Sequence, residues 1–218
     1  ERHQFTGPTQ DGGFADYVLV SERSLIKLAP GLEPVDVAPH ADAGVTAYHA
    51  VRRIASQLTP GTITAVIGVG GVGHIALQLV RVLGAGDVIG VDTDERRRAL
   101  AIELGADHAV DGIEAVDAVR DLTSGRGADV VLDFVGIDQT HADGLAMLAR
   151  GGTYSCVGYG GTVSVPSVAL VVGESCLLGN LVGTWIDLWE LLQLHAQGRV
   201  VLRSETHPEK GAGGNGVV

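Results

Sequence analysis

The chain has 218 residues, 15 basic against 26 acidic side chains for a formal charge of −11, 45% apolar residues, 32 glycines and two cysteines. Ample apolar content excludes a disordered chain, and glycines without a period of three exclude a collagen-like one; what remains is a globular α/β balance. The acidic charge argues against a nucleic-acid partner, two cysteines are too few for a disulfide scaffold, and the length supports one full domain with part of a second.

The longest mostly apolar stretch, Ile63 to Val80, carries glycines, His74 and Gln78 and reads poorly as a membrane span. No signal peptide opens at Glu1-Arg2-His3-Gln4, so a cytoplasmic protein with a small-molecule partner is expected. A first residue other than Met is compatible with a processed, trimmed or partial chain.

In chain order, Phe14 to Val20 and Ser24 to Leu28 read as short strands, bounded by Asp11-Gly12-Gly13 and Pro30-Gly31. From Pro34 to Leu58, apolar residues at helical spacing predict a helical stretch that ends before Pro60-Gly61. A regular alternation follows. Ile63 to Val69 is a strand, Val72 to Leu83 a helix, Asp87 to Val91 a strand, and Glu95 to Leu104 a helix closed by Gly105. Next come a short strand at Ala109-Val110, a helix from Glu114 to Leu122 and a strand from Asp129 to Val135. A helix from Thr140 to Ala149 and a strand from Thr153 to Val157 complete the alternation. Val163 to Pro166 and Cys176 to Val182 are candidate further strands, Trp185 to Gln197 an amphipathic helix, and Lys210 to Gly216 a flexible tail. Parallel neighbours need a crossover, so strands alternating with helices of this length predict a doubly wound parallel α/β sheet. The division expected is 1–37 as part of a second domain, 38–200 as the α/β domain and 201–218 as a shortened tail.

The strongest local signal is Gly68-Val69-Gly70-Gly71-Val72-Gly73, directly after a strand and opening a helix. In that context the first glycine permits a tight turn, the second lets a pyrophosphate approach the backbone, and the third lets helix pack on strand. The helix N-terminus then offers free N–H groups to the phosphates. The bland alternative is a close strand-to-helix turn and nothing more. Asp92 ends the next strand about 20 residues beyond Gly73, where a carboxylate accepts the adenosine ribose hydroxyls and repels a 2′-phosphate, so NAD is favoured over NADP. Arg96, Arg97 and Arg98 weigh the other way, although a basic run opening a helix is usually a solvated face.

From Gly12 to about Gly198 the chain resembles the zinc-dependent alcohol dehydrogenases of the medium-chain dehydrogenase/reductase superfamily. The matching blocks are Asp11-Gly12-Gly13-Phe14-Ala15-Asp16-Tyr17-Val18, Ala41-Asp42-Ala43-Gly44-Val45-Thr46-Ala47-Tyr48-His49-Ala50, the glycine turn, Leu104-Gly105-Ala106-Asp107, Asp133-Phe134-Val135-Gly136 and Gly152 to Gly158. The resemblance implies a catalytic domain of GroES-like fold ahead of a Rossmann domain, with residues 1–37 as the last strands of the former. It implies NAD as cofactor, zinc in the parent family, and oxidation of an alcohol to an aldehyde or ketone. Asp42 resembles the third protein ligand of the catalytic zinc, its bland alternative being a helix N-cap or a solvated carboxylate. Thr46 resembles the threonine beside the nicotinamide; Phe134, Val135, Val157, Gly158 and Tyr159 resemble strand-end positions lining the nicotinamide half, each with a core residue as its alternative. Arg97 resembles the basic residue near the adenosine ribose. The family's catalytic Cys and His and its structural-zinc cysteines have no counterpart, and no catalytic residue is assigned. The chain therefore reads as a fragment that binds NAD without zinc-assisted turnover. Pairing of two copies along an edge strand at Leu177 to Val182 follows from the resemblance as well. Alternatives are a free-standing dinucleotide-binding module and a zinc-free quinone reductase of the same superfamily, against which Asp42 and Asp92 count. A short-chain reductase would need Tyr-x-x-x-Lys, which the chain lacks.

Overall fold

The structure, a computed structural model, describes residues 9, 11–13 and 15–204. Its elements in chain order are α1 (Pro34–Val37), α2 (Ala43–Ile54), β1 (Ile63–Ile67), α3 (Gly73–Leu83), β2 (Asp87–Asp92), α4 (Glu95–Glu103), β3 (His108–Asp111), α5 (Ala115–Leu122) and β4 (Ala128–Asp133). They continue with α6 (Asp138–Ala146), β5 (Leu148–Cys156), α7 (Ser167–Gly173), β6 (Cys176–Gly179) and α8 (Trp185–Ala196).

The six strands form one wholly parallel sheet in the order β3-β2-β1-β4-β5-β6. This is the doubly wound Rossmann order, in which the chain reverses direction between β1 and β4 and leaves a crevice at the carboxyl ends of the strands. Alternation along each strand divides the core. Val66, Val88, Val130 and Leu132 pack with α2, α3 and α8 on one face, while Ala65, Ile89, Val91 and Val131 pack with α5 on the other. Register then places the site. Ile67 pairs with both Val91 and Asp133, and Asp133 with Cys156, so the turns after β1, β2, β4 and β5 all emerge at one edge.

Several segments differ from the sequence reading. The expected strand from Ser24 to Leu28 and the described part of the one from Phe14 to Val20 form no ladder; a 3-10 turn at Glu22–Ser24 lies between extended backbone. Among the described residues they meet no partner strand, and Tyr17 and Leu19 are almost fully exposed. The segment from 34 to 58 is helical in pieces, interrupted around Pro39 and Asp42 by a 3-10 turn at Ala38–Ala41 and closed by another at Ala55–Gln57. β4 ends at Asp133, two residues early, because the Asp133 carboxylate captures the next N–H groups, those of Val135 and Gly136. Residues 148–150 extend β5 rather than α6, residues 163–166 are not a strand, β6 stops at Gly179, and α7 was not foreseen. Phe14 and the tail from 205 onward lie outside the described residues.

Candidate dinucleotide site

The turn between β1 and α3 divides its glycines into two kinds. Gly68 has φ +85°, a left-handed conformation open to glycine, and a Cβ on it would meet Val135 Cγ2 at 2.6 Å. A Cβ on Gly73 would stand 1.7 Å from the Gly68 carbonyl oxygen, so the first turn of α3 closes onto the strand end only without a side chain. Gly70 and Gly71 are different: a Cβ on Gly70 would find only the Arg97 guanidinium, at 3.6 Å, and one on Gly71 nothing within 4 Å. Packing therefore requires two of the four glycines and leaves the other two bordering open space. Val72 stands at the N-cap position of α3; His74 and Ile75 already donate their N–H groups to the Gly70 and Val72 carbonyls, so those of Gly71, Val72 and Gly73 are the ones this corner offers to an anion.

Asp92, the last residue of β2, is 7% exposed. Its Oδ2 accepts the N–H of Val69 at 2.8 Å and its Oδ1 that of Asp94 at 3.0 Å, which ties the glycine turn to the end of β2. A carboxylate has about four lone-pair positions, so acceptor capacity remains for a ligand. Arg97 Nη1 stands 3.8 Å from Asp92 Oδ2, and more than half of the Arg97 side chain is exposed. Arg98 instead bonds the carbonyls of Asp92 and Thr93 and the Asp111 carboxylate.

Between these groups opens a cavity of about 470 Å³, lined from the expected set by Gly68, Asp92, Arg97 and Val135. Also lining it, and missed in the sequence, are Thr93, Gly112, Ile113, Ile137, Thr140 and Asp143. Ile113 and Ile137 lie in connections and are more than half exposed, so no periodic pattern marked them. Phe134 and Gly158 are not among the cavity's lining residues: the Phe134 ring is 3.5 Å from where a Gly73 Cβ would be, and Gly158 abuts Val135 and Gly136. Val157 is half-buried against the core, and Tyr159 projects almost fully into solvent.

Asp42 and Thr46 stand together at the start of α2, where Thr46 Oγ1 donates to the Asp42 carbonyl at 2.7 Å. Asp42 stands at the N-cap position of α2 but its carboxylate makes no capping hydrogen bond and is exposed, so of its two bland readings the solvated carboxylate matches and the capping one does not. Catalytic zinc takes three protein ligands and keeps one position open. Among the described residues no three His, Cys, Asp or Glu side chains converge to hold a metal. The donor set of this chain, one exposed carboxylate, does not fit a zinc ion by itself.

Trp185 opens α8 and its indole N–H donates to the Leu25 carbonyl at 3.1 Å, fastening the segment before α1 to the sheet domain. β6 forms the edge of the sheet, with Leu177 and the α7 residues Val168, Val171 and Val172 exposed beside it. Among the described residues no helix is long and apolar enough to cross a membrane.

Comparison with known proteins matches residues 71–197 to the family described as zinc-binding dehydrogenase. An NAD-dependent alcohol dehydrogenase of Sulfolobus acidocaldarius is 36% identical over 90% of this chain and 57% of its own length. A D-arabinose 1-dehydrogenase (NADP(+)) of Saccharolobus solfataricus is 34% identical over 89% of this chain and 57% of its own. The solved alcohol dehydrogenase of Aeropyrum pernix superposes with a TM-score of 0.91 at 43% identity, over 94% of this chain and 60% of that one. The chain thus spans less than two thirds of the length of these relatives.

Proposed function

The chain belongs to the zinc-binding dehydrogenase family, and on that premise we propose that it is the dinucleotide-holding part of an NAD-dependent alcohol dehydrogenase. The observation that carries this reading is the buried Asp92 carboxylate, bonded to the turn whose Gly70 and Gly71 border open space. A pyrophosphate fits against that turn, at Gly70 and the N–H groups of Gly71, Val72 and Gly73. Asp92 accepts the adenosine ribose hydroxyls, with Arg97 beside it. The cavity wall of Ile113 and Ile137 covers the adenine. Phe134, Val135, Val157, Gly158, Tyr159 and Thr46 are the proposed border of the nicotinamide half. When bound, NAD supplies the hydride acceptor for oxidation of an alcohol carbon to an aldehyde or ketone.

The names of the relatives include both cofactors, and Asp92 decides between them here. A 2′-phosphate brought to a buried carboxylate meets like charge, which disfavours NADP. Asp42 supplies at most one zinc ligand, so no step of the reaction is assigned to zinc in this chain, and by itself the chain is expected to bind NAD and turn over no alcohol. Calorimetric titration with NAD and NADP tests the proposal. Tighter NAD binding is the expected result; equal or tighter NADP binding overturns the role of Asp92, and no saturable binding of either overturns the function.

A further inference from the structure

Three buried polar side chains form a hydrogen-bonded chain beneath the end of β4. Asp133 is fully buried, with Oδ1 accepting the N–H groups of Val135 at 2.9 Å and Gly136 at 3.0 Å, and Oδ2 accepting the Tyr154 hydroxyl at 2.7 Å. His141 on α6 places Nδ1 2.7 Å from the Tyr154 oxygen and 3.3 Å from Asp133 Oδ2. The Tyr154 hydroxyl has one proton and gives it to Asp133, so His141 Nδ1 must carry a proton and donate it to the Tyr154 oxygen. Burial, and then the bond to Asp133, pushes the Tyr154 phenol upward, which keeps it a donor.

A buried carboxylate is costly unless donors are aimed at it. What this one holds is the turn from Phe134 to Gly136, and that turn is wedged. Gly136, at φ +72°, lies so close to Gly158 that a Cβ on it would meet the Gly158 carbonyl carbon at 2.0 Å. On the other side, Val135 fills the space that a side chain on Gly68 would occupy and lines the cavity, and the Phe134 ring comes within 3.5 Å of where a Gly73 Cβ would be. The wedge thus joins the end of β5 to the glycine turn.

We propose that Asp133, Tyr154 and His141 are positioning residues that fix the 134–136 turn against the glycine turn and so set the distal half of the dinucleotide site. The proposal rests on the NAD reading above. Its test uses the full 218-residue chain with Tyr154→Phe, His141→Ala and His141→Gln. The readouts are amide hydrogen exchange at Val135 and Gly136, titration with NAD and with AMP, and thermal unfolding. Tyr154→Phe, which removes the bonds of the hydroxyl to Asp133 and His141, is expected to speed exchange at both amides and to raise the NAD Kd by about five- to tenfold, with a clearly smaller rise in the AMP Kd. AMP shares the Asp92 side and the cavity wall at Val135 and Ile137 but lacks the nicotinamide half. His141→Ala repeats both effects in smaller measure and stands in if Tyr154→Phe does not fold; His141→Gln, which keeps an N–H donor, restores wild-type values to within about twofold. Unchanged exchange in the folded variants overturns the positioning, and equal weakening of AMP and NAD reduces the cluster to a structural one. A wild-type chain that takes up no NAD overturns the dinucleotide reading separately, because the exchange readout needs no ligand.

Discussion

A glycine that serves a ligand and a glycine that serves packing are indistinguishable as letters, but here they separate by what a methyl group would meet. Gly73→Ala drives a Cβ into the Gly68 carbonyl, and overpacking of this kind costs about 1–3 kcal/mol. Gly70→Ala has a backbone free of positive φ and only the end of a long Arg97 side chain nearby. Its stability should stay within about 0.5 kcal/mol of the parent, while NAD binding weakens roughly tenfold or more as the methyl displaces the pyrophosphate. Urea unfolding and calorimetry on both variants check this; a Gly70→Ala chain that binds NAD as tightly as the parent contradicts it. The sequence made the glycine spacing and Asp92 legible because both lie at fixed offsets from a strand. It could not show that Asp92 bonds the Val69 N–H, since that contact depends on how β1 and β2 pair.

At the scale of elements, α2 and α8 are joined by polar contacts that the amphipathic pattern does not reveal. Asp187, with its side chain 2% exposed, accepts bonds from Arg52 at 2.8 Å, from His49 at 2.9 Å and from the Thr184 hydroxyl at 2.7 Å. Burial alone would raise the Asp187 carboxyl, but these donors outweigh it and hold the group down at about 2. On the opposite turn of α8, His195 Nδ1 lies 3.0 Å from Nε2 of the buried His40. Burial first, and then His195 and His74, bring the His40 ring down to about 4.

The two shifts act in different pH windows. Between pH 6.5 and about 4 the unfolded chain protonates His40 while the folded chain does not, so stability falls with falling pH, by up to about 3 kcal/mol. From about pH 4 toward 2 the Asp187 contribution is lost in turn, on the order of 2 kcal/mol. Urea unfolding across this range should show His40→Gln flattening the upper window and Asp187→Asn the lower one; unchanged slopes in both variants contradict the assignment. Helix periodicity placed α3, α5 and α8 well because their apolar stripes are buried, those of α3 and α5 against the sheet and that of α8 against α2. It missed α7, whose apolar residues are exposed, and it overextended β4 and α6, whose ends are fixed by the Asp133 carboxylate and by the start of β5.

For the whole molecule, alternation of strand and helix was enough to predict the parallel doubly wound sheet, since every crossover but the one from β3 to β4, which spans the reversal, sets its two strands side by side. The segment before α1 was misjudged for the complementary reason: a strand exists only where another strand accepts its ladder, and β-forming residues such as Tyr17 and Leu19 find none among the described residues. The cavity was legible in its floor, the strand ends and the glycine turn, and illegible in its walls, because Ile113, Ile137 and Asp143 come together only when α5 and α6 pack on one face of the sheet. The account's central claim is that this chain holds NAD across the β1–β4 reversal. Hydrogen exchange across the whole chain, with and without saturating NAD, tests it most directly. Protection concentrated at residues 68–75, 92–97 and 134–137, with the α2–α8 interface unchanged, is the predicted result; no change on adding NAD, or protection confined to other elements, would contradict it.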